Sequence, residues 1–295
     1  MKPPHDHSPG GPRGVCCEVA AFALARLPLD SLPDVRRHPE TALGISLPVS
    51  VLKHLDDQTV AGLAAVCRAL KESELNQTGF HDWGVLAAPH FIGQTLMVTS
   101  LQRFHEEGAW GVSPHVIPHH SLHSLSGTIS QVLKIHGPNL GVGGGRGGTG
   151  EALLAAAAWI GRQRVPGVWV VVTSYDPQGE LDSDGHPQPG TASLGLALAL
   201  QPARADSYGL RLRFLPGDDA RRTDRPVDLL RMNTALEIGR SSRGAGGMVV
   251  SAVAPRIELE WGRPGRLIPS HGYLLKAADT YPAAAHISTG AETKR

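Results

Sequence analysis

Residues Gly137 to Ile160 read GPNLGVGGGRGGTGEALLAAAAWI, and few architectures accommodate that order. A Gly-Pro-Asn turn leads into a short apolar run, Leu140–Val142, then a glycine-crowded stretch, then an alanine-rich helical segment. Residues without a Cβ let a chain reverse sharply and let backbones approach closely. A strand, a tight elbow and a helix in succession are the building unit of layered α/β folds. Upstream, Ser113–Pro118 reads as an extended, proline-punctuated lead-in, and His120–Ile135 carries a helical pattern.

The remaining segments fit the same class. Val15–Leu27 mixes β-branched and small apolar residues as a buried first strand does. Pro28 to Pro48 reads as loop. Asp56–Ala69 places Val60, Leu63, Ala64 and Cys67 at helical spacing, with Asp56 and Asp57 where the helix dipole favours them. Cys67 on that stripe is a packing thiol. Asp82–Ala88 predicts a strand, Phe91–Phe104 a helix, and Glu106–Pro118 a loop. Gly167–Ser174 (GVWVVVTS) is a continuous apolar run suited to a central parallel strand covered on both faces. Asp176–Pro189 reads as a polar surface loop, and Ala192–Leu200 and Leu210–Phe214 as two further strands. After Gly217 comes a charged loop, in which Asp218, Asp219, Arg221 and Arg222 read as solvated. Val227–Ile238 is a helical segment, Arg240–Gly247 a flexible one, and Met248–Trp261 either two short strands or one broken at Pro255. The last thirty residues have weak periodicity. This predicts a disordered arm at 1–14, an α/β domain at 15–216 and a small C-terminal extension at 217–295.

At 295 residues the chain is long enough to bury a substantial core, and its net charge of +1 points to no polyanionic partner. Aromatics are few, which disfavours nucleic-acid stacking, and no apolar run reaches the length of a membrane span. The polar, Pro/Gly-rich start lacks the features of a signal peptide, so a cytoplasmic location is expected. Cys16, Cys17 and Cys67 do not form a disulfide framework. Cys16 and Cys17 lie on the first strand without an activating group nearby in sequence.

The elbow admits an anion-binding reading, in which Gly145, Arg146, Gly147, Gly148 and Thr149 supply backbone donors and a guanidinium. It is not a Walker loop, since no Gly-Lys-Ser/Thr closes it, and the glycine run fits the dinucleotide fingerprint only loosely. His115, His119, His120 and His123 lack the spacing of a metal set, so no metal or cofactor is expected and they read as loop and interface histidines.

The whole segment from Ser113 to Leu153 resembles, without a gap, the nucleophile region of β-ketoacyl synthases, the carbon–carbon bond-forming enzymes of fatty acid and polyketide assembly. Gly137-Pro138 begins the match, Ala152-Leu153 opens the expected helix, and Gly127 matches a helix glycine. His123 stands where asparagine is usual. Arg146 stands where the family carries its acyl-accepting cysteine. The resemblance covers roughly residues 15–215, the N-terminal half of a ketosynthase. It implies a thiolase-like layered domain with a mostly parallel central sheet covered by helices. The family's two later histidines and lysine have no counterpart after Gly217.

A guanidinium stays protonated near neutral pH and is not a nucleophile. The resemblance therefore implies a catalytically degenerate protein comparable to chain length factors. Those pair with a complete, cysteine-bearing ketosynthase, and an acyl carrier protein is the other expected partner. A dimer would form through the strand and helix flanking the elbow, with Gly137, Pro138, His123 and Arg146 near the contact. Two alternatives remain open at this point. One is a scaffold that binds an acyl-phosphopantetheine or other anion at the elbow. The other is an active acyltransferase using Ser193, Thr149 or Ser174.

Overall fold

The computed structural model describes residues 15–44, 47, 49–114, 116–143, 145, 147–177, 182, 187–203, 209–215, 228–241, 246–251 and 256–262. The expected arm at 1–14, the charged loop after Gly217, the tail beyond 262, His115 and Arg146 lie outside the described residues.

Eight strands of the described residues form one sheet. They are β1 (Val15–Pro28), β2 (Gly84–Pro89), β3 (Asn139–Gly141), β4 (Val168–Asp176), β5 (Ala192–Pro202), β6 (Gly209–Leu215), β7 (Gly246–Ser251) and β8 (Arg256–Gly262), in the spatial order β3-β2-β4-β5-β1-β6-β8-β7. The helices are α1 (Leu32–Arg37), α2 (Pro39–Leu43), α3 (Val49–Leu52), α4 (Asp57–Lys71), α5 (Gln94–Glu107), α6 (Val116–His120), α7 (Leu122–Leu133), α8 (Gly148–Gly161) and α9 (Leu229–Ser241). Pro28 to Pro48 is thus largely short helices rather than loop. Pro39 opens α2 at a position where its missing N–H costs nothing. From the segment expected as an extension, β7 and β8 join the same sheet through the pairing of β8 with β6, and α9 packs on its face.

The layered α/β expectation holds, but the sheet is not mostly parallel. β2 pairs in parallel with β3 and with β4, whereas β4–β5, β5–β1, β1–β6, β6–β8 and β8–β7 are antiparallel. A continuous apolar run reports that both faces are covered. It does not report strand direction, and β4 satisfies one neighbour of each sense.

Both faces carry a core. On one, Val168, Val170 and Val172 of β4 and Leu194, Leu196, Leu198 and Leu200 of β5 meet α8 and α9. On the other, Trp169 and Val171 of β4 and Ala197 and Ala199 of β5 meet α4 and α7. β5 contains SLGLALAL, so its pleat sends Leu194, Leu196, Leu198 and Leu200 to one side and Ser193, Gly195, Ala197 and Ala199 to the other. The small side is where α4 lies against the sheet. A Cβ on Gly195 would strike the Ala61 carbonyl and come within 2.7 Å of the Gly62 nitrogen. β1 changes faces midway. A bulge between Val19 and Ala21 breaks the register, so Cys17 and Val19 face α8 and α9, while Ala21, Ala23 and Ala25 face α4. α4 is buried from Gln58 to Cys67, because Leu32, Val35, Leu43, Leu52 and Leu55 cover its outer side.

Candidate functional site

The elbow forms where expected. Val142 leaves β3 with its N–H still donating to the Ala87 carbonyl at 2.8 Å. Gly143 then turns the chain with φ +77°, and a Cβ there would lie 2.6 Å from the Gly148 Cα. Only glycine meets both conditions without strain. Gly148 opens α8 and donates to the Gly145 carbonyl at 3.1 Å. β3 sits hard against α7, since a Cβ on Gly141 would strike the Leu122 carbonyl and come within 2.9 Å of the His123 nitrogen. This brings His123 to the strand that feeds the elbow. Its Nδ1 lies 3.3 Å from the Ser126 hydroxyl. The Pro138 carbonyl accepts from the Val85 N–H at 2.8 Å, and Gly137 abuts the Trp83 carbonyl. Of the expected site residues, Gly145, Gly147, Gly148 and Thr149 cluster at the start of α8, and Gly137, Pro138 and His123 flank β3.

Thr149 is only 1% exposed, and its hydroxyl lies 3.1 Å from the Nε2 of His90. His90 follows the carboxyl end of β2 and is itself buried. Nothing in the sequence singles it out, because it stands alone after Pro89. It heads a connected polar cluster at the carboxyl ends of β2 and β4, the edge at which open α/β sheets place their sites. The His90 N–H donates to the Thr173 carbonyl at 2.8 Å, and the His90 carbonyl accepts from Gln58 Nε2 at 2.8 Å. The Thr173 hydroxyl donates to Gln58 Oε1 at 2.9 Å. The Gln58 backbone N–H donates to Asp56 Oδ1 at 2.8 Å, which caps α4. The other Asp56 oxygen, Oδ2, lies 3.2 Å from the Nδ1 of His120.

Burial holds the His90 imidazole below its ordinary value of 6.5, in the neutral form. The unfolded chain therefore binds the proton at higher pH than the folded one. Stability from this group is complete above pH 6.5 and is lost as pH falls through that value toward the folded pKa. The urea midpoint is expected to drop on acidification from about pH 7 to about pH 5, and His90→Asn should flatten part of that slope. An unchanged slope in the variant would show that other groups carry the effect.

No thiol of the chain is placed to act as a nucleophile at the elbow. Cys16 and Cys17 lie on β1 and Cys67 on α4. Burial pushes Cys17 and Cys67 up to about 12 and also raises Cys16, the reverse of what an attacking thiolate needs. The hydroxyl candidates are also withdrawn from solvent. Ser193 is fully buried and donates to the Asp57 carbonyl at 3.2 Å, Ser174 is buried within β4, and Thr149 is committed to His90. Among the described residues no group of three or more His, Cys, Asp or Glu could hold a metal ion, and no helix is long and apolar enough to cross a membrane.

No family model and no curated protein matches the chain. Solved structures do. A chain of the ketosynthase ApeO in complex with its chain length factor ApeC, from Xenorhabdus doucetiae, matches with a TM-score of 0.50 at 14% identity, over 83% of this chain and 99% of that one. A type II polyketide acyl carrier protein in complex with its hexaketide-bound ketosynthase matches with a TM-score of 0.47 at 15% identity, over 70% of each chain. The ishigamide ketosynthase/chain length factor matches with a TM-score of 0.45 at 15% identity, over 68% of this chain and 66% of that one. The chain therefore shares its fold with that ApeO–ApeC chain.

Proposed function

We propose that this protein is an auxiliary, chain-length-factor-like subunit that pairs with a complete ketosynthase in fatty acid or polyketide assembly and does not itself condense acyl chains. One observation carries the reading. The chain forms a strand–turn–helix elbow at the segment that resembles the ketosynthase nucleophile region, yet every cysteine of its sequence lies elsewhere, each with a raised pKa. A cytoplasmic location goes with this reading.

Two exposed apolar features suit a partner. β3 is an edge strand of the sheet among the described residues, and Leu140 at its centre is 47% exposed. Met97, Leu101 and Phe104 form an exposed stripe on α5, and Trp110 just beyond is 98% exposed. Contiguous exposed apolar side chains on a folded protein mark contact surfaces. Affinity capture from the native source with mass spectrometry is expected to recover a cysteine-bearing ketosynthase, with or without an acyl carrier protein. Leu140→Lys places a charge on the open edge and should reduce recovery by about tenfold or more while leaving the circular dichroism spectrum unchanged. Arg146→Glu tests the adjoining elbow in the same assay. Recovery of the protein alone would sink the reading.

A further inference from the structure

Helix α5 has a second face. Leu96, Thr99, Ser100 and Arg103 recur at helical spacing and, with His54, Gly111, Ser113, Val116 and His120, line a cavity of about 310 Å³. Its wall is largely apolar, with a few polar groups that differ in kind. Arg103 makes no ion pair or hydrogen bond among the described residues, and Glu107, one turn on, brings its carboxylate to Gly111 at the same wall. A guanidinium presents a rigid fork suited to a carboxylate. His120 is held from behind, because its Nδ1 faces Asp56 Oδ2 at 3.2 Å and that carboxylate is only 3% exposed. A carboxylate partner assigns the Nδ1–H tautomer. In that tautomer Nε2 is an acceptor, and it has no hydrogen-bond partner among the described residues. Small-molecule sites combine an apolar lining with a few convergent polar groups in this way.

We propose that this cavity binds a short hydroxy-carboxylate. Arg103 takes the carboxylate, His120 Nε2 accepts from the hydroxyl, and Leu96 and Val116 cover the aliphatic body. The site does not depend on the partner role proposed above. Asp56 serves as a positioning residue, acting on the ligand only through His120.

The test is isothermal titration of the purified full chain at about pH 8, above the ordinary imidazole range. The titrants are 2- and 3-hydroxybutyrate, butyrate and the corresponding hydroxybutyramides. One hydroxybutyrate is expected to bind saturably, and its neutral amide about 10- to 100-fold more weakly, as loss of a charge-assisted pair implies. Arg103→Gln should cause a loss of the same size and lies on an exposed helix position, so its fold is preserved. His120→Asn keeps an N–H for Asp56 and removes Nε2. It should erase the preference for hydroxybutyrate over butyrate, about 3- to 10-fold, while leaving butyrate affinity unchanged. Absence of saturable binding by either acid overturns the proposal. So does equal binding of acid and amide, or a hydroxyl preference that survives in His120→Asn.

Discussion

Gly195→Val is expected to unfold the protein or cost of order 4 kcal/mol, through overpacking that neither backbone can relieve. Gly195 lies in the middle of β5, where α4 passes over the sheet. A side chain there meets the Ala61 carbonyl and the Gly62 nitrogen, which belong to helix backbone and cannot rotate away. Relief would require α4 to lift. The lift would open contacts with Ala197 and Ala199 and pull Asp56 and Gln58 from the polar cluster. Equilibrium urea denaturation followed by tryptophan fluorescence measures the loss. Gly79→Ala is the control, because a Cβ at Gly79 meets nothing within 4 Å. Near-native stability of Gly195→Val would mean that α4 does not sit against β5 as described.

Trp169→Ala is expected to cost about 3–5 kcal/mol, the range for deleting a large buried aromatic. Trp169 is fully buried at the centre of the sheet. Its ring meets Phe80 edge-on at 5.8 Å, and Phe80 in turn meets Trp83 edge-on at 5.0 Å. Truncation leaves a cavity that rigid strands on either side cannot close. Trp169→Phe separates packing from hydrogen bonding. The indole Nε1 has no hydrogen-bond partner among the described residues, so phenylalanine forfeits volume but no bond. Its expected cost is smaller, about 1–2 kcal/mol. Equal losses in the two variants would show that the indole N–H is satisfied by a group the cluster does not reveal.

Gly195 and Trp169 also mark how far sequence reasoning reached. The alternation of leucine and small residues in β5 was visible as a strand pattern, and so was the apolar run of β4. Which helix needed the small face was not visible, because α4 lies more than a hundred residues earlier in the chain. Strand direction was also out of reach. With both faces buried, a central strand has the same composition whether its neighbours run parallel or antiparallel, and five of the pairings proved antiparallel. The bulge in β1 is a single inserted residue that shifts the buried positions from one face to the other. No local composition announces it.

The candidate site divides similarly. The elbow itself was legible, because a glycine with φ +77° packed on Gly148 leaves a compositional trace. The histidines were not. His90 finds Thr149 across 59 residues of sequence, and Asp56 finds His120 across 64. Reading His120 as a loop histidine missed that pairing, since a buried carboxylate partner is a property of tertiary structure alone.

The sequence by itself determined the order of the strands and the longer helices, the strand–elbow–helix turn and the absence of cysteine from it. Each is set by periods and backbone permissions acting within a few residues. Only the tertiary structure decided the mixed sheet, the seating of α4 on Gly195, the His90–Thr149 and Asp56–His120 pairs and the cavity beside them. These depend on which distant segments share a surface, and that choice is made by packing both faces of one sheet at once.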